Sequence, residues 1–218
     1  RALSGWTISR NATAQGIAVR RSTAGIAISG PLGSGTVVVR DCLTSLVTSG
    51  AVGISGGVVV GVVAQDVNVS LLVENNVCYC NGMNSQIGIH LVCYGGGNTT
   101  ITVTATVSHN TVRQIGSQAG TVAMAAVAQV ASGTGSRVLN VVARNNALFD
   151  FATGITETET PGSGTAAVNW TASHNASSDS TADNFGGANH LVDQAAADWF
   201  ADVAADLRKR SASPGIRT

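Results

Sequence analysis

Two glutamates are the most direct candidates for chemistry in this chain. Glu157 and Glu159 stand two residues apart in a Thr-Glu-Thr-Glu-Thr run. In an extended strand such residues share a face, and at a rise of about 3.3 Å per residue their Cα atoms lie ~7 Å apart. Glycoside hydrolysis uses a pair of carboxylates placed in this way. The alternative is a solvated strand end or turn, because an inward Ile155 would turn Glu157 inward too and the strand would then stop.

Other acids and the cysteines allow further readings. Asp179 and Asp183 lie in a Ser/Thr/Asp-rich stretch that could bind an ion or a sugar, or form turns. No His or Cys spacing matches a zinc site, so we expect neither a metal nor a cofactor.

The four cysteines are Cys42, Cys78, Cys80 and Cys93. A disulfide between Cys42 and Cys78 is one possibility, and buried free thiols acting as small apolar residues are the other.

Composition and charge exclude several classes of protein. Of 218 residues, 44% are hydrophobic, 11% are charged and 4% are aromatic, and the 12 Lys and Arg balance the 12 Asp and Glu. A neutral chain has no field to attract nucleic acid. No apolar run reaches the ~18 residues of a membrane span, so we expect no membrane insertion. The chain begins at Arg1, and we interpret it as a piece of a longer protein.

A short sequence motif recurs along the chain. An alternating run of apolar and polar residues ends in Asn or Asp, and the spacing of these anchors is 29 to 36 residues. The anchors are Asn11, Asp41, Asn76, Asn110, Asn146 and Asn175. A period of two with one apolar face predicts strands, and Gly-rich turns separate them. Such units bury their apolar faces only by stacking.

The repeat resembles that of the right-handed parallel β-helix proteins of bacterial surfaces and phages. The resemblance covers about residues 6–185, and it implies an all-β solenoid of about six coils in which the anchors form an Asn ladder. We therefore predict a β-helix at 1–185 and a closing segment at 186–218. The polar residue before each anchor forms a second row, which could bind a glycan or simply solvate the turn. That row is Arg10, Arg40, Asn75, His109, Asn145 and His174.

The end of the chain carries a second resemblance. Phe200-Ala-Asp202, Asp206-Leu-Arg208 and Ser213-Pro-Gly-Ile216 are similar to the closing segment of many β-helix proteins, although Leu207 replaces an aromatic residue. The rival interpretation is an amphipathic helix over 194–210, because apolar residues recur there at helical spacing. Either structure would cover the open edge of the last coil.

The outward side of the strands is unusually apolar. By alternation, Val37, Leu72 and Val142 point outward, which predicts a covered wall. The wall could pack against another chain in a homo-oligomer or filament, or be covered by an extension. We expect a structural or attachment solenoid of a secreted, cell-surface or virion-associated assembly, whose loops meet surface glycans. The alternatives are a polysaccharide lyase or glycoside hydrolase, or a glycan-binding module; fold analogy alone supports an enzyme.

Overall fold

Three parallel sheets make up the computed structural model. It describes residues 6–7, 11–15, 18–20, 26–29, 34–47, 52–62, 65–80, 85–115, 119–202 and 206–209, with side chains at 34–44, 65–80, 85–115 and 119–200. Sheet A contains β1 (Trp6–Thr7), β4 (Ile26–Ser29), β7 (Val52–Val62), β10 (Ile87–Gly96), β13 (Val122–Ser132) and β16 (Thr153–Thr160). Sheet B contains β2 (Asn11–Gln15), β5 (Gly35–Arg40), β8 (Val67–Glu74), β11 (Thr100–Ser108), β14 (Ser136–Arg144) and β17 (Thr165–Ser173). Sheet C contains β3 (Ala18–Arg20), β6 (Leu43–Val47), β9 (Val77–Cys80), β12 (Thr111–Gln114), β15 (Ala147–Phe149) and β18 (Ala176–Ser177).

Each strand pairs in parallel with the strand three places further along the chain. Strand β8, for example, lies between β5 and β11, and β11 lies between β8 and β14. One strand from each sheet therefore makes one coil, and the coils stack in register. This arrangement is a parallel β-helix of six coils, as the repeat predicts.

The core fills the inside of the coils. Along β11 the residues Ile101, Val103, Ala105 and Val107 are fully buried, while the residues between them face outward. Their partners in β8 and β14 repeat the pattern, so apolar side chains stack on apolar side chains from coil to coil, except where Arg137 of β14 lies next to Ile101. Stacked rows of this kind bury a continuous core that no single coil could form.

The corner between sheets B and C has a constant length of two residues. Its first residue always has a left-handed backbone, with φ between 52° and 57° in the five coils from β5 to β18. These residues are Asp41, Asn75, His109, Asn145 and His174. Asp, Asn and His are the non-glycine residues that adopt this conformation most readily, which explains their repetition here.

The other two corners vary. Seven residues (115–121) separate β12 from β13, whereas three (150–152) separate β15 from β16. Most of the difference in coil length thus arises between sheets C and A. Between sheets A and B the turns approach one another closely: a Cβ atom added at Gly135 would overlap the carbonyl oxygen of Thr99 in the coil before.

The register corrects the first two predicted anchors. Asn11 lies within β2 and pairs with Thr36 of β5, so it is not a ladder residue. Asp41 is the first corner residue of its coil, and Cys42 holds the ladder position beside Asn76. The sequence Arg-Asp-Cys corresponds to Glu-Asn-Asn of the next coil, so the predicted anchor lies one residue before the ladder position.

That one-residue error inverts the predicted direction of every side chain in β5. Val37 was predicted on the outer wall, but it pairs with Leu71 and is 2% exposed in the core. Val38 takes the outward position next to Leu72. For the same reason Arg40 pairs with Glu74 and does not belong to the predicted row of polar residues that precede the anchors. Trp6 lies in sheet A, opposite Ile28, and not in the inward row of sheet B.

The chain continues beyond β18 in a short partial coil. Ala188 and Leu191 form parallel bridges with Ser173 and Ala176, fifteen residues earlier. A 3-10 helix (Ser180–Asp183) precedes them, and a single turn of helix, α1 (Ala196–Trp199), follows. The antiparallel strands β19 (Phe200–Asp202) and β20 (Asp206–Lys209) come last. The predicted helix over 194–210 is therefore wrong, and Ser213 to Ile216 lie outside the described residues.

Candidate functional site

The ladder at the second corner position holds the coils in register. Asn76, Asn110, Asn146 and Asn175 are at most 1% exposed. The Oδ1 atom of Asn110 accepts from both the backbone N–H and the Nδ2 of Asn76, at 3.0 and 2.9 Å. Its own Nδ2 donates to Val73 O at 2.9 Å and to Asn146 Oδ1 at 3.0 Å. All its hydrogen-bonding capacity is thus used, which confirms the predicted Asn ladder at these four positions.

A histidine ends the ladder, which the sequence pattern did not reveal. His190 Nδ1 accepts the backbone N–H of Asn175 at 3.2 Å, and its Nε2 lies 3.1 Å from the carbonyl of Gly186. Since the backbone amide can only donate, Nδ1 is the acceptor in the bond with Asn175. The spacing of 15 residues from Asn175 is too short to match the repeat, so His190 gave no signal.

The left-handed residues form a polar line on the outside of the corner, which we call the corner row. It consists of Asp41, Asn75, His109, Asn145, His174 and Asn189. Neighbouring side chains bind in pairs: Asn75 Nδ2 donates to Asp41 Oδ1 at 2.7 Å, and Asn189 Nδ2 lies 2.9 Å from His174 Nε2. The row is partly or fully exposed, and successive coils are about 4.8 Å apart. His109 and His174 are separated by Asn145 and do not meet.

The outer surface of sheet B presents two uncharged rows, which we call the sheet-B face. The first row is Val38, Leu72, Thr106, Val142 and Thr171. The second is Thr36, Ser70, Thr104, Asn140 and Asn169. All ten residues are partly or fully exposed, and no element within the described part of the chain packs over them. Of the predicted wall, Leu72 and Val142 lie here and Val37 does not.

The outer surface of sheet C is covered by the chain itself. Trp199 and Phe200 pack against Phe149 of β15, with ring centroids 5.3 Å away in each case. The guanidinium of Arg113 in β12 lies 5.4 Å from the Phe200 ring centre and pairs with Asp150 at 2.8 Å. The segment around α1 is therefore a cover for one outer sheet face, while the sheet-B face remains open.

The two candidate glutamates face inward at the far end of the solenoid. Glu157 and Glu159 pair with Ala126 and Ala128, both fully buried core residues of β13. Strand β16 continues to Thr160, so the expected strand end at Glu157 is wrong. Because β16 is the last strand of sheet A, no further coil formed by the described residues lies over these carboxylates, and both residues are exposed.

Both carboxylates are engaged by the neighbouring strand β17. Glu159 Oε1 accepts the backbone N–H of Val168 at 2.7 Å, and Glu157 Oε2 accepts Trp170 Nε1 at 2.8 Å. The Trp170 ring stacks on Phe185 with centroids 4.7 Å apart. The pair comes from one strand and serves as hydrogen-bond acceptors for the last coil.

Asp179 and Asp183 do not form a joint site. Asp179 caps the 3-10 helix by accepting from Thr181 N at 3.2 Å, and its other oxygen accepts Gly154 N at 2.7 Å. Asp183 lies exposed at the end of that helix. Turn chemistry, one of the two alternatives considered for these acids, accounts for Asp179.

The cysteines are free thiols. Cys42 pairs with Asn76 in the register and Cys78 with Thr44, so the predicted disulfide between Cys42 and Cys78 is not formed. Burial raises the pKa of Cys78 and of Cys93 to about 12, and it also raises that of Cys80. These thiols act as small apolar core residues, the second of the two alternatives.

A buried arginine braces the corner between sheets A and B. Arg137 occupies an inward position of β14 and is 0% exposed. Its Nε donates to Gly95 O at 2.9 Å, Nη2 to Gly96 O at 2.6 Å, and Nη1 to Thr99 O at 2.7 Å. Burial lowers the pKa of this guanidinium. The sequence contained a signal for this inward position, because Arg137 alternates with Leu139, Val141 and Ala143 on the inward face.

Two searches of the described residues complete the survey of sites. No cluster of three or more His, Cys, Asp or Glu side chains there could hold a metal ion. None of the helices described is long and apolar enough to cross a membrane.

No protein-family model, no curated protein and no solved structure matches this chain. Arguments about function therefore rest on the geometry of its own surfaces.

Proposed function

We propose that this chain is a structural solenoid of a secreted, cell-surface or virion-associated assembly, and that it self-associates through the sheet-B face. The observation that carries the proposal is the contrast between two outer faces of the same solenoid. Over β15 and β18 the face of sheet C is buried under Trp199 and Phe200, whereas the sheet-B face is uncharged, regular and uncovered by the described residues. The exposed apolar side chains of Val38, Leu72 and Val142 in the first row favour contact with a second surface.

The partner on the sheet-B face is a second copy of this chain. The face carries no charge in its two rows, and charged side chains such as Arg40, Glu74 and Arg144 line only its corner side. Two such faces meet without unpaired charges, so nothing in the rows opposes a symmetric contact. An apolar extension of the parent protein would compete for the same surface.

A matched pair of lysine variants tests this proposal. Val142→Lys places a charge in the sheet-B face, and Val127→Lys places one at an outward, half-exposed position of β13 in sheet A of the same coil. Burying an unpaired ammonium in a contact opposes association, so we expect Val142→Lys to weaken self-association at least tenfold, about 1.4 kcal/mol. The control should associate like the unchanged chain. Light scattering over a concentration series measures both.

The proposal would be rejected if the unchanged chain stays monomeric at all concentrations. It would also be rejected if both variants weaken self-association equally. The second outcome would mean that charge anywhere on the surface, and not the sheet-B face, governs association.

Attachment to glycans is a second candidate function, and the corner row is the observation that favours it. Its amides, imidazoles and carboxylate project from successive coils at a regular spacing, as a polymer of sugars would require. We expect retention on immobilised polysaccharides that falls at least fivefold in the double variant His109→Asn and His174→Asn, which keeps the left-handed backbone. Thr104→Ala on the sheet-B face is the control. Retention that survives the double variant would exclude the corner row.

An enzymatic function has no comparable support. Glu157 and Glu159 belong to one strand, and both already accept hydrogen bonds from β17. A polysaccharide lyase or glycoside hydrolase remains the alternative to be examined by a cleavage screen if the chain proves monomeric.

A further inference from the structure

The described residues cap only part of the end of the solenoid that is formed by β16, β17 and β18. The backbone N–H groups of Gly154 and Ile155 at the start of β16 are satisfied by Asp179 and Thr181 of the 3-10 helix. Beyond Ile155 no cap of this kind appears within the described residues. Strands β16 and β17 are the outermost strands of sheets A and B at this end. Exposed strand edges of this type can pair with strands of another molecule.

The inward residues of the open part of β16 differ from those of every described coil below it. Glu157 and Glu159 stand in the columns that Leu91 and Cys93 occupy in β10 and that Ala126 and Ala128 occupy in β13. All four of those residues are fully buried. The columns therefore change from core residues to two carboxylates at the last strand.

The carboxylates also occupy hydrogen-bonding groups that a further coil would need. Val168 lies in the outermost strand of sheet B, and its backbone N–H donates to Glu159 Oε1 at 2.7 Å. Glu157 Oε2 holds the indole Nε1 of Trp170 at 2.8 Å. A strand added to β17 would have to displace Glu159 from Val168.

We propose that Glu157 and Glu159 block end-to-end stacking of the solenoid on a second copy of this chain. A coil laid over β16 would bury both carboxylates at core positions and remove them from water, which is strongly unfavourable. Inward-pointing charges on an edge strand are a known device against edge-to-edge pairing. Growth of an assembly is thereby directed away from the solenoid axis. This inference does not depend on the proposed lateral contact through the sheet-B face.

A double variant that restores core residues tests the block. In Glu157→Val with Glu159→Val the end of sheet A becomes apolar, and we expect end-to-end polymers visible by electron microscopy at concentrations at least tenfold below any at which the unchanged chain polymerises. The matched control is Thr158→Val with Thr160→Val, which adds the same groups to the outer face of the same strand. Polymers formed equally by both double variants would overturn the proposal, because general stickiness would then explain them.

Two further arms keep the outcome interpretable. Both double variants are also made with Val142→Lys, so that lateral association cannot produce the polymers. Glu157→Gln with Glu159→Gln keeps hydrogen-bond acceptors toward β17 and removes the charges, and we expect it to polymerise less readily than the Val pair. Folding is checked by circular dichroism. A folded Val pair that stays unpolymerised would overturn the block, whatever the result for the sheet-B face.

Discussion

The buried asparagines link each coil to the next through groups that have no other partner. The Oδ1 atoms of Asn110, Asn146 and Asn175 each accept two hydrogen bonds from the coil before, and that of Asn76 accepts the backbone N–H of Cys42. The Nδ2 of Asn76, Asn110 and Asn146 each donates to one backbone carbonyl and to the Oδ1 of the next asparagine. Removing one side chain therefore leaves several buried polar groups unsatisfied at once. A ladder residue has consequences far larger than its size suggests.

We expect Asn110→Ala to lower the free energy of unfolding by roughly 3–6 kcal/mol. The substitution removes the acceptor of the Asn76 backbone N–H, one of the two acceptors of Asn76 Nδ2 and the Nδ2 donor to the carbonyl of Val73, at about 1–3 kcal/mol for each lost partner. Urea denaturation measures the change. His109→Asn, one residue earlier at the exposed corner position, should change stability by less than about 1 kcal/mol. Equal losses in the two variants would show that the corner turn, and not the ladder, is responsible.

At the scale of elements, the segment around α1 is held by aromatic contacts. Trp199 is fully buried against Phe149, and Phe200 completes the cluster beneath Arg113. This cluster is separate from the core inside the coils. The segment can therefore leave sheet C without opening the solenoid itself, because local stability follows local contacts.

We expect Trp199→Ala to release this segment while the coils stay folded. Loss of a buried Trp costs about 3–5 kcal/mol, which exceeds what so small a cluster can spare. Limited proteolysis should cut within 195–209 at least tenfold faster, whereas hydrogen exchange in β11 and β14 should stay slow. Asp198→Ala, at an exposed position of the same turn, is the control. Simultaneous loss of protection in β11 would show that the segment and the coils unfold together.

Strands and coils could be predicted from the sequence where the period of two and the anchor residue agree. From β8 to β17 the anchor is Asn in each coil, and the prediction is confirmed there. In β5 the ladder position is Cys42, so the alignment fell on Asp41 and the direction of Val37 was inverted. The partial coil ending at His190 was missed because its spacing is less than half that of the others. The covering role of Trp199 depends on contacts with β15, which no local pattern encodes.

At the scale of the whole molecule, the thiols report on the integrity of the coils. Cys42, Cys78, Cys80 and Cys93 are all buried within the stacked core. No single side-chain movement brings one of them to the solvent, because neighbouring coils lie on both sides. Their reaction with a thiol reagent requires at least a local opening of the stack.

We expect the native chain to react with a disulfide reagent at pH 8 at least 1,000-fold more slowly than the unfolded chain. Only the thiolate reacts, and raising the pKa of Cys78 and Cys93 from 9.0 to about 12 lowers its population by about that factor, before any effect of limited access. Absorbance of the released thiol follows the reaction, with guanidinium-unfolded protein as reference. A fast phase that accounts for one thiol would locate a coil that opens readily.

The corners of the coils differ in whether they allow the number of residues in the turn to vary. Two residues always turn the chain from sheet B to sheet C, and the ladder that follows leaves no room for insertions. The turn from sheet C to sheet A already accommodates three residues after β15 and seven after β12 without disturbing the neighbouring strands. A foreign peptide grafted into residues 115–121 should therefore be displayed from one edge of an unchanged scaffold.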